Sequence, residues 1–177
     1  MKWPSFNYRG TVYDLSHLDA FEWFYTHVSE GQPDIIYKCL VIFSTHCFTR
    51  DRLGNESYSP DLIYPDCPDG RIFELTRYEP SKELPGIIRS LGERQCWHTS
   101  KGNYFTIELM ESSGEVNDYE VYFKVSRASR RGWLNVQIQS AFIRDEQYQS
   151  SQPKKRKIGF NVIARNTQRG KIIKLPR

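Results

Sequence analysis

A chain of 177 residues is the size of one ordinary domain, long enough to bury a core without disulfide or metal staples. Its 11 Tyr, 10 Phe and 4 Trp exclude a disordered polymer, although only 38% of residues are hydrophobic. The net charge of +4 hides a split: residues 153–177 hold nine basic residues and no acid, whereas residues 1–152 hold 16 basic residues against 21 acids, a net of −5.

The first ten residues lack the apolar stretch of a secretory signal, and no apolar run approaches membrane-spanning length. Cys39, Cys47, Cys67 and Cys96 form no C-x-x-C pair. A reducing, cytoplasmic setting without a membrane partner is therefore expected.

In chain order, residues 1–12 read as extended. Asp14 or Ser16 can cap a helix over 15–27, with Leu18, Phe21, Phe24 and Tyr25 on one face and Gly31-Gln32-Pro33 as its stop. Residues 34–48 are almost continuously apolar, the pattern of a strand buried on both faces. Residues 50–70 form a long polar loop, of a length often associated with function. A short strand over 71–75 and a helix from Ser81 to about Leu91, stopped by Gly92, come next.

Five strands are then expected, over 96–99, 104–110, 119–126, 133–144 and 158–165. Period-two alternation puts Phe105, Ile107 and Leu109 on an apolar face with Tyr119, Val121, Phe123 and Val125, then Leu134, Val136 and Ile138, then Phe160 and Val162. Tyr104, Thr106, Glu108, Glu120, Tyr122 and Lys124 fall on the polar face, where Tyr104, Tyr122 and Lys124 could stack on bases and meet phosphates. Lys154, Lys155, Arg156 and Lys157 read as a turn at the sheet edge, with a further short strand over 171–175. The expectation is one α+β domain over 1–177: two helices of the N-terminal half packed on one face of a curved antiparallel β-sheet, with a basic segment at 153–177.

Three constellations carry candidate chemistry. His46 lies where the apolar strand enters the long loop, with Arg50 and Arg52 nearby. Imidazole titrates near neutrality and serves as acid or base, while guanidinium suits phosphate. His98 and Lys101 form a second group, with Ser100. Ser140-Ala141-Phe142, followed by Arg144, is the third. Counting by twos from Leu134 puts Ser140 on the apolar face unless a bulge turns it outward. The plainer accounts are a strand end, a polar turn and a core hydroxyl. Arg77 and the Lys154–Lys157 run could also reach phosphate. The Cys and His spacing matches no standard zinc finger, and there is no phosphate-cradling glycine loop, G-x-S-x-G, H-E-x-x-H or dinucleotide fingerprint. No metal or other cofactor is expected.

Early helices followed by an antiparallel sheet, together with Ser140-Ala141-Phe142 on a late strand, resemble the barnase–EndoU–colicin–RelE group of small ribonucleases and toxins. The resemblance implies RNA, rather than DNA, lying on the exposed sheet face, with cleavage that needs no metal. It also implies His46 or His98 as acid or base, Arg50, Arg77 and Arg144 as phosphate stabilisers, and Ser140 as an orienting group. Two other readings stand beside it. One is a nucleic-acid-binding protein without catalysis, held by the sheet face and the basic segment. The other is a protein-interaction module or homo-oligomer, in which the acidic body of one subunit meets the basic segment of the next.

Overall fold

The computed structural model describes residues 1–52, 54, 57–65, 67, 70–99, 101–112, 115–144 and 155–174. Ser100 and Lys154 lie outside the described residues, as does the end of the strand expected over 171–175.

Two short strands, β1 (Phe6–Tyr8) and β2 (Thr11–Tyr13), form a hairpin. A long hairpin follows, β3 (Phe21–Ser29) and β4 (Gln32–Phe43). Residues 44–95 then hold a small ribbon of β5 (Thr49–Arg50) and β6 (Ile72–Phe73), and the helices α1 (Leu75–Ser81) and α2 (Leu84–Arg89). The meander β7 (Cys96–Thr99), β8 (Tyr104–Ser112), β9 (Glu115–Arg127) and β10 (Trp133–Ile143) comes next. Edge strand β11 (Lys155–Ile158) and helix α3 (Phe160–Gln168) follow it.

The main sheet has seven strands in the order β11-β7-β8-β9-β10-β4-β3. Every neighbouring pair is antiparallel except β10 and β4, which run parallel. The α+β class therefore holds, with α1 and α2 both in the N-terminal half. The parallel pair makes the sheet mixed rather than wholly antiparallel.

One face of the sheet carries Trp23, Tyr37, Cys39, Val41, Phe43, Tyr119, Val121, Phe123, Leu134, Val136 and Ile138, all buried. Register explains why they meet: Trp23 pairs with Cys39, Leu134 with Cys39, Val136 with Val41, and Phe123 with Ile138. Paired residues share a face, so the alternating apolar positions of four strands merge into one floor. Arg89 at the end of α2 lies 4.2 Å over the Phe21 ring, and Gly92 abuts Tyr25 so closely that a Cβ there would stand 2.3 Å from a ring carbon. Phe160 of α3 sits 5.1 Å from both the Trp23 and Tyr25 rings and 6.3 Å from that of Phe123. Thus α2 and α3 cover this face, while α1 packs against the end of β10.

Several expectations fail for identifiable reasons. Residues 15–27 are a 3-10 turn and strand β3, not a helix. Phe21, Trp23 and Tyr25 satisfy period two as well as Leu18, Phe21 and Tyr25 satisfy a helix, and pairing with β4 decides. Residues 158–165 are mostly helix: Phe160, Ile163 and Ala164 are buried at helical spacing, while Val162, expected to be buried, is 42% exposed. Lys155–Lys157 lie on a strand, not in a turn, and residues 171–174 are irregular. The helix expected from Ser81 is two helices, and Ser81 is buried at the end of the first, where its hydroxyl donates to the Tyr78 carbonyl at 2.6 Å rather than capping the second. In β4, Ile36 and Lys38 are exposed, so that strand is buried mainly on one face. In β8 the phase is inverted: Tyr104 and Thr106 pair with Phe123 and Val121 and face the helices, while Leu109 is 75% exposed.

Removing the Phe160 ring should open the floor beneath α3. Phe160→Ala is expected to lower unfolding free energy by about 3–5 kcal/mol, read from urea denaturation. A loss below about 1 kcal/mol would mean that α3 is not integral to the core.

Candidate nucleic-acid interface

The sheet face turned away from α2 and α3 carries a transverse row of side chains. Lys157 pairs with Trp97, Trp97 with Phe105, Phe105 with Tyr122, and Tyr122 with Ser140. The row crosses five strands, because paired residues point to the same side. Phe105 and Tyr122 stack at 5.0 Å with 18° between their planes, and Tyr122 stacks on Phe142 at 5.8 Å and 10°. The Lys155 ammonium lies 5.0 Å from the Trp97 ring and 6.0 Å from that of Phe105, and the Lys157 ammonium lies 5.6 Å from Trp97. Such contacts hold cations along the aromatic ladder. Lys38, Lys124 and Gln137 are exposed on the same face.

Ser140 reaches this row because the β9–β10 register shifts between Ile138 and Ser140. One extra residue there flips the phase of the strand. Phe142 and the following Arg144 then meet Glu120, which is fully buried. Arg144 donates from Nε to Glu120 Oε1 at 2.7 Å and from Nη2 to Oε2 at 2.8 Å, and the Tyr122 hydroxyl donates to Oε2 at 2.8 Å. Burial, followed by the Glu120 hydrogen bond, pushes the Tyr122 phenol up to about 12. The same carboxylate holds Arg144 firmly in its charged form.

Arg77 lies at the same end of the sheet, its guanidinium 5.5 Å from the Phe142 ring, with Arg144 at 5.8 Å. Its Nη1 donates to the carbonyls of His46 and Thr49, each at 3.0 Å, so it anchors the turn Thr45–Cys47 that presents His46 to solvent. Desolvation lowers its pKa, with Arg71 adding to the effect. Arg77, Ser140 and Arg144 are thus gathered at one end of the sheet, around Phe142 and Tyr122, with the exposed His46 on the adjoining turn that Arg77 holds through its backbone. Glu120 completes that cluster, and sequence reasoning missed it. The signal was an acid beside Tyr122 with Arg144 on the next strand, but only the bulge brings them together.

His98 is not part of this cluster. It is buried on the opposite, helix-covered face, stacked on Tyr104 at 5.0 Å. Its row runs through Tyr104, Phe123 and Ile138 to Phe43, so β8, β9 and β10 lie between it and the strand leading to His46. Four strand spacings come to about 19 Å. The two histidines share no cleft and cannot serve as paired acid and base. Tyr104 is likewise buried and unavailable for stacking. Arg50 is engaged by Glu74 at 2.5 Å, which ties β5 to the start of α1. Lys101 is exposed in the β7–β8 turn, where its amide donates to Thr99 Oγ1 at 3.1 Å. Arg156 pairs with His98 on β7 and so points away from Lys155 and Lys157. Among the described residues, no three His, Cys, Asp or Glu side chains cluster as a metal site, and no helix is long and apolar enough to cross a membrane.

The YjaZ family model matches residues 5–168. Protein YjaZ of Escherichia coli (strain K12) is 31% identical over 172 residues, covering 94% of this chain and 93% of that protein. No solved structure matches.

Two measurements probe the electrostatics of these sites. Arg144→Ala strands a buried carboxylate and should cost about 3–5 kcal/mol, while Arg144→Ala combined with Glu120→Leu should recover part of it. The pKa of His98 is lowered from 6.5, chiefly by burial, against a hydrogen bond that its ring donates to the Lys174 backbone carbonyl, which raises it. The unfolded state therefore takes up the proton first as pH falls. His98 contributes no penalty above pH 6.5, and stability drops below it until the folded histidine also titrates. The pH dependence of the urea midpoint below 6.5 should be shallower in His98→Gln; an unchanged slope would assign it elsewhere, for instance to His17, whose pKa burial also lowers.

Proposed function

This chain belongs to the YjaZ family, and we propose that it binds nucleic acid, RNA in preference to DNA, on the sheet face opposite its helices. The observation that carries this reading is the row Lys157–Trp97–Phe105–Tyr122–Ser140 with Lys155 beside it. Trp97 and Tyr122, half-buried among exposed lysines, suit single strands, whose bases stack and whose phosphates pair with cations, while the fully buried Phe105 backs the Tyr122 ring.

The charge distribution supports the same reading. Arg50, Arg71, Lys82, Arg94, Arg130 and Arg144 each pair with a carboxylate. Among the described residues of the open face, Lys38, Lys124 and Lys157 pair with none. These three lysines are open to the phosphates of an outside polyanion. Four cysteines without disulfides suit a reducing, cytoplasmic setting.

Ribonuclease activity is the second reading. It is favoured by the gathering of Arg77, Ser140 and Arg144 around Phe142 and Tyr122, with His46 on the adjoining turn as the acid or base and without His98.

Anisotropy titration of a labelled single-stranded RNA should show affinity falling as salt rises. Lys155→Glu with Lys157→Glu should weaken binding and reduce the salt slope by about 1.4, the share of two phosphate contacts. His46→Ala should leave affinity intact, and cleavage in EDTA that disappears in His46→Ala would decide for the ribonuclease. Affinity insensitive to both salt and the lysine reversal would rule out the proposed face.

A further inference from the structure

A second site lies on the other side of the sheet and does not rest on the RNA reading. The first β10–β4 pair is Trp133 with Lys38, so the part of β4 from Gln32 to Tyr37 extends beyond β10. This arm and α3 form the walls of a groove of about 610 Å³. That volume falls in the range of roughly 300–1,000 Å³ typical of small-ligand sites.

The helix supplies one wall by simple periodicity. Phe160, Ile163 and Ala164 are spent on the core. Asn161 and Arg165 form one row four residues apart, and Val162, Asn166 and Arg169 form the row beside it. The helix ends at Gly170, whose φ of +67° reverses the chain, and the Lys171 amide closes on the Asn166 carbonyl at 2.9 Å. That reversal returns Lys171 to the groove. From the arm come His27, Asp34, Ile35 and Tyr37, with His27 Nε2 3.4 Å from the Asn161 amide nitrogen.

Three cations face one carboxylate in this lining. None of Arg165, Arg169 and Lys171 makes an ion pair among the described residues. A fourth cation, Arg127, stands behind Gly170, with Nη1 3.5 Å from where a Cβ would be. Favourable interaction with the negative end of the helix accounts for a basic residue in its last turn, but not for Lys171, for Arg127, or for the amides and apolar wall opposite. Guanidinium forks match phosphate oxygens. Ile35, Val162 and the buried Tyr37 offer a surface for a carbon skeleton.

We propose that this groove binds a small phosphorylated molecule, with its phosphate on Arg165, Arg169 and Lys171 and its organic part against Ile35 and Val162. The test is calorimetric titration of the full chain with ribose 5-phosphate, with ribose, and with vesicles containing phosphatidic acid. Saturable binding of ribose 5-phosphate and none of ribose is expected. Arg165→Gln with Arg169→Gln, both exposed positions, should weaken it roughly tenfold or more. Asp34→Asn, which removes the lining carboxylate, should tighten it, a gain that misfolding cannot produce. The Lys155→Glu, Lys157→Glu variant should bind ribose 5-phosphate normally even where it loses RNA, so either reading can fail without the other. Absence of saturable binding, indifference to the arginine and aspartate substitutions, or binding to vesicles alone would overturn the proposal.

Discussion

The fold depends on one pairing, the parallel contact of β10 with β4. Everything on one side of it is a hairpin, β3 and β4, and everything on the other is a meander ending in β11. Neither part has its apolar floor complete alone. Trp23 and Val41 belong to the hairpin, Phe123 and Ile138 to the meander, and the ladder from Lys38–Trp133 to Phe43–Ile138 brings them into one surface. A parallel ladder needs a long crossover, and residues 44–132 supply it. They run out through the His46 turn and the small ribbon, across the helices, and back through three antiparallel strands. The position of His46, Arg77 and the β5–β6 ribbon at one end of β10 is a consequence of where that crossover begins.

The same geometry separates the two faces by chemistry. Toward the helices the sheet is apolar and dry, and polar groups there, such as His98 and Thr106, are buried. Away from the helices it bears aromatic rings with lysines over them, and a buried carboxylate satisfied by Arg144 and Tyr122. A buried ion pair adds little net stability but penalises any arrangement that separates its partners. Here it fixes the register beyond the β10 bulge, because a slip of one residue would return Ser140 and Phe142 to the core side.

Much of this was legible in the residues. The alternation of Tyr119, Val121, Phe123 and Val125, and of Leu134, Val136 and Ile138, gave the floor of β9 and β10 directly. What failed was local sequence compatible with two periods. Phe21–His27 suits a helix as well as a strand, and Phe160–Arg165 suits a strand as well as a helix; tertiary pairing decided each, in opposite senses. In β8 the alternation was clear but pointed the wrong way: pairing with β9 turns Tyr104 and Thr106 to the helices, and Phe105 is buried even though it points away from them. Of the site residues, Arg77, Ser140 and Arg144 came together beside the His46 turn because one bulge and one crossover place them there. His98 fell on the wrong face because its strand is four residues long and its register is set by pairing with β8 and β11, which are distant in sequence or were read differently.

Helix α3 follows all seven strands in the chain, yet its Phe160 closes the space between Trp23, Tyr25 and Phe123. During synthesis, then, the aromatic floor is laid down long before its lid exists. A nascent chain that has made every strand still presents the rings of Trp23, Tyr25 and Phe123 to the surrounding solution. Such a surface is what holdase chaperones recognise and what drives intermolecular collapse. The interval between the emergence of β10 and that of α3 is therefore the period in which this protein is most exposed to aggregation.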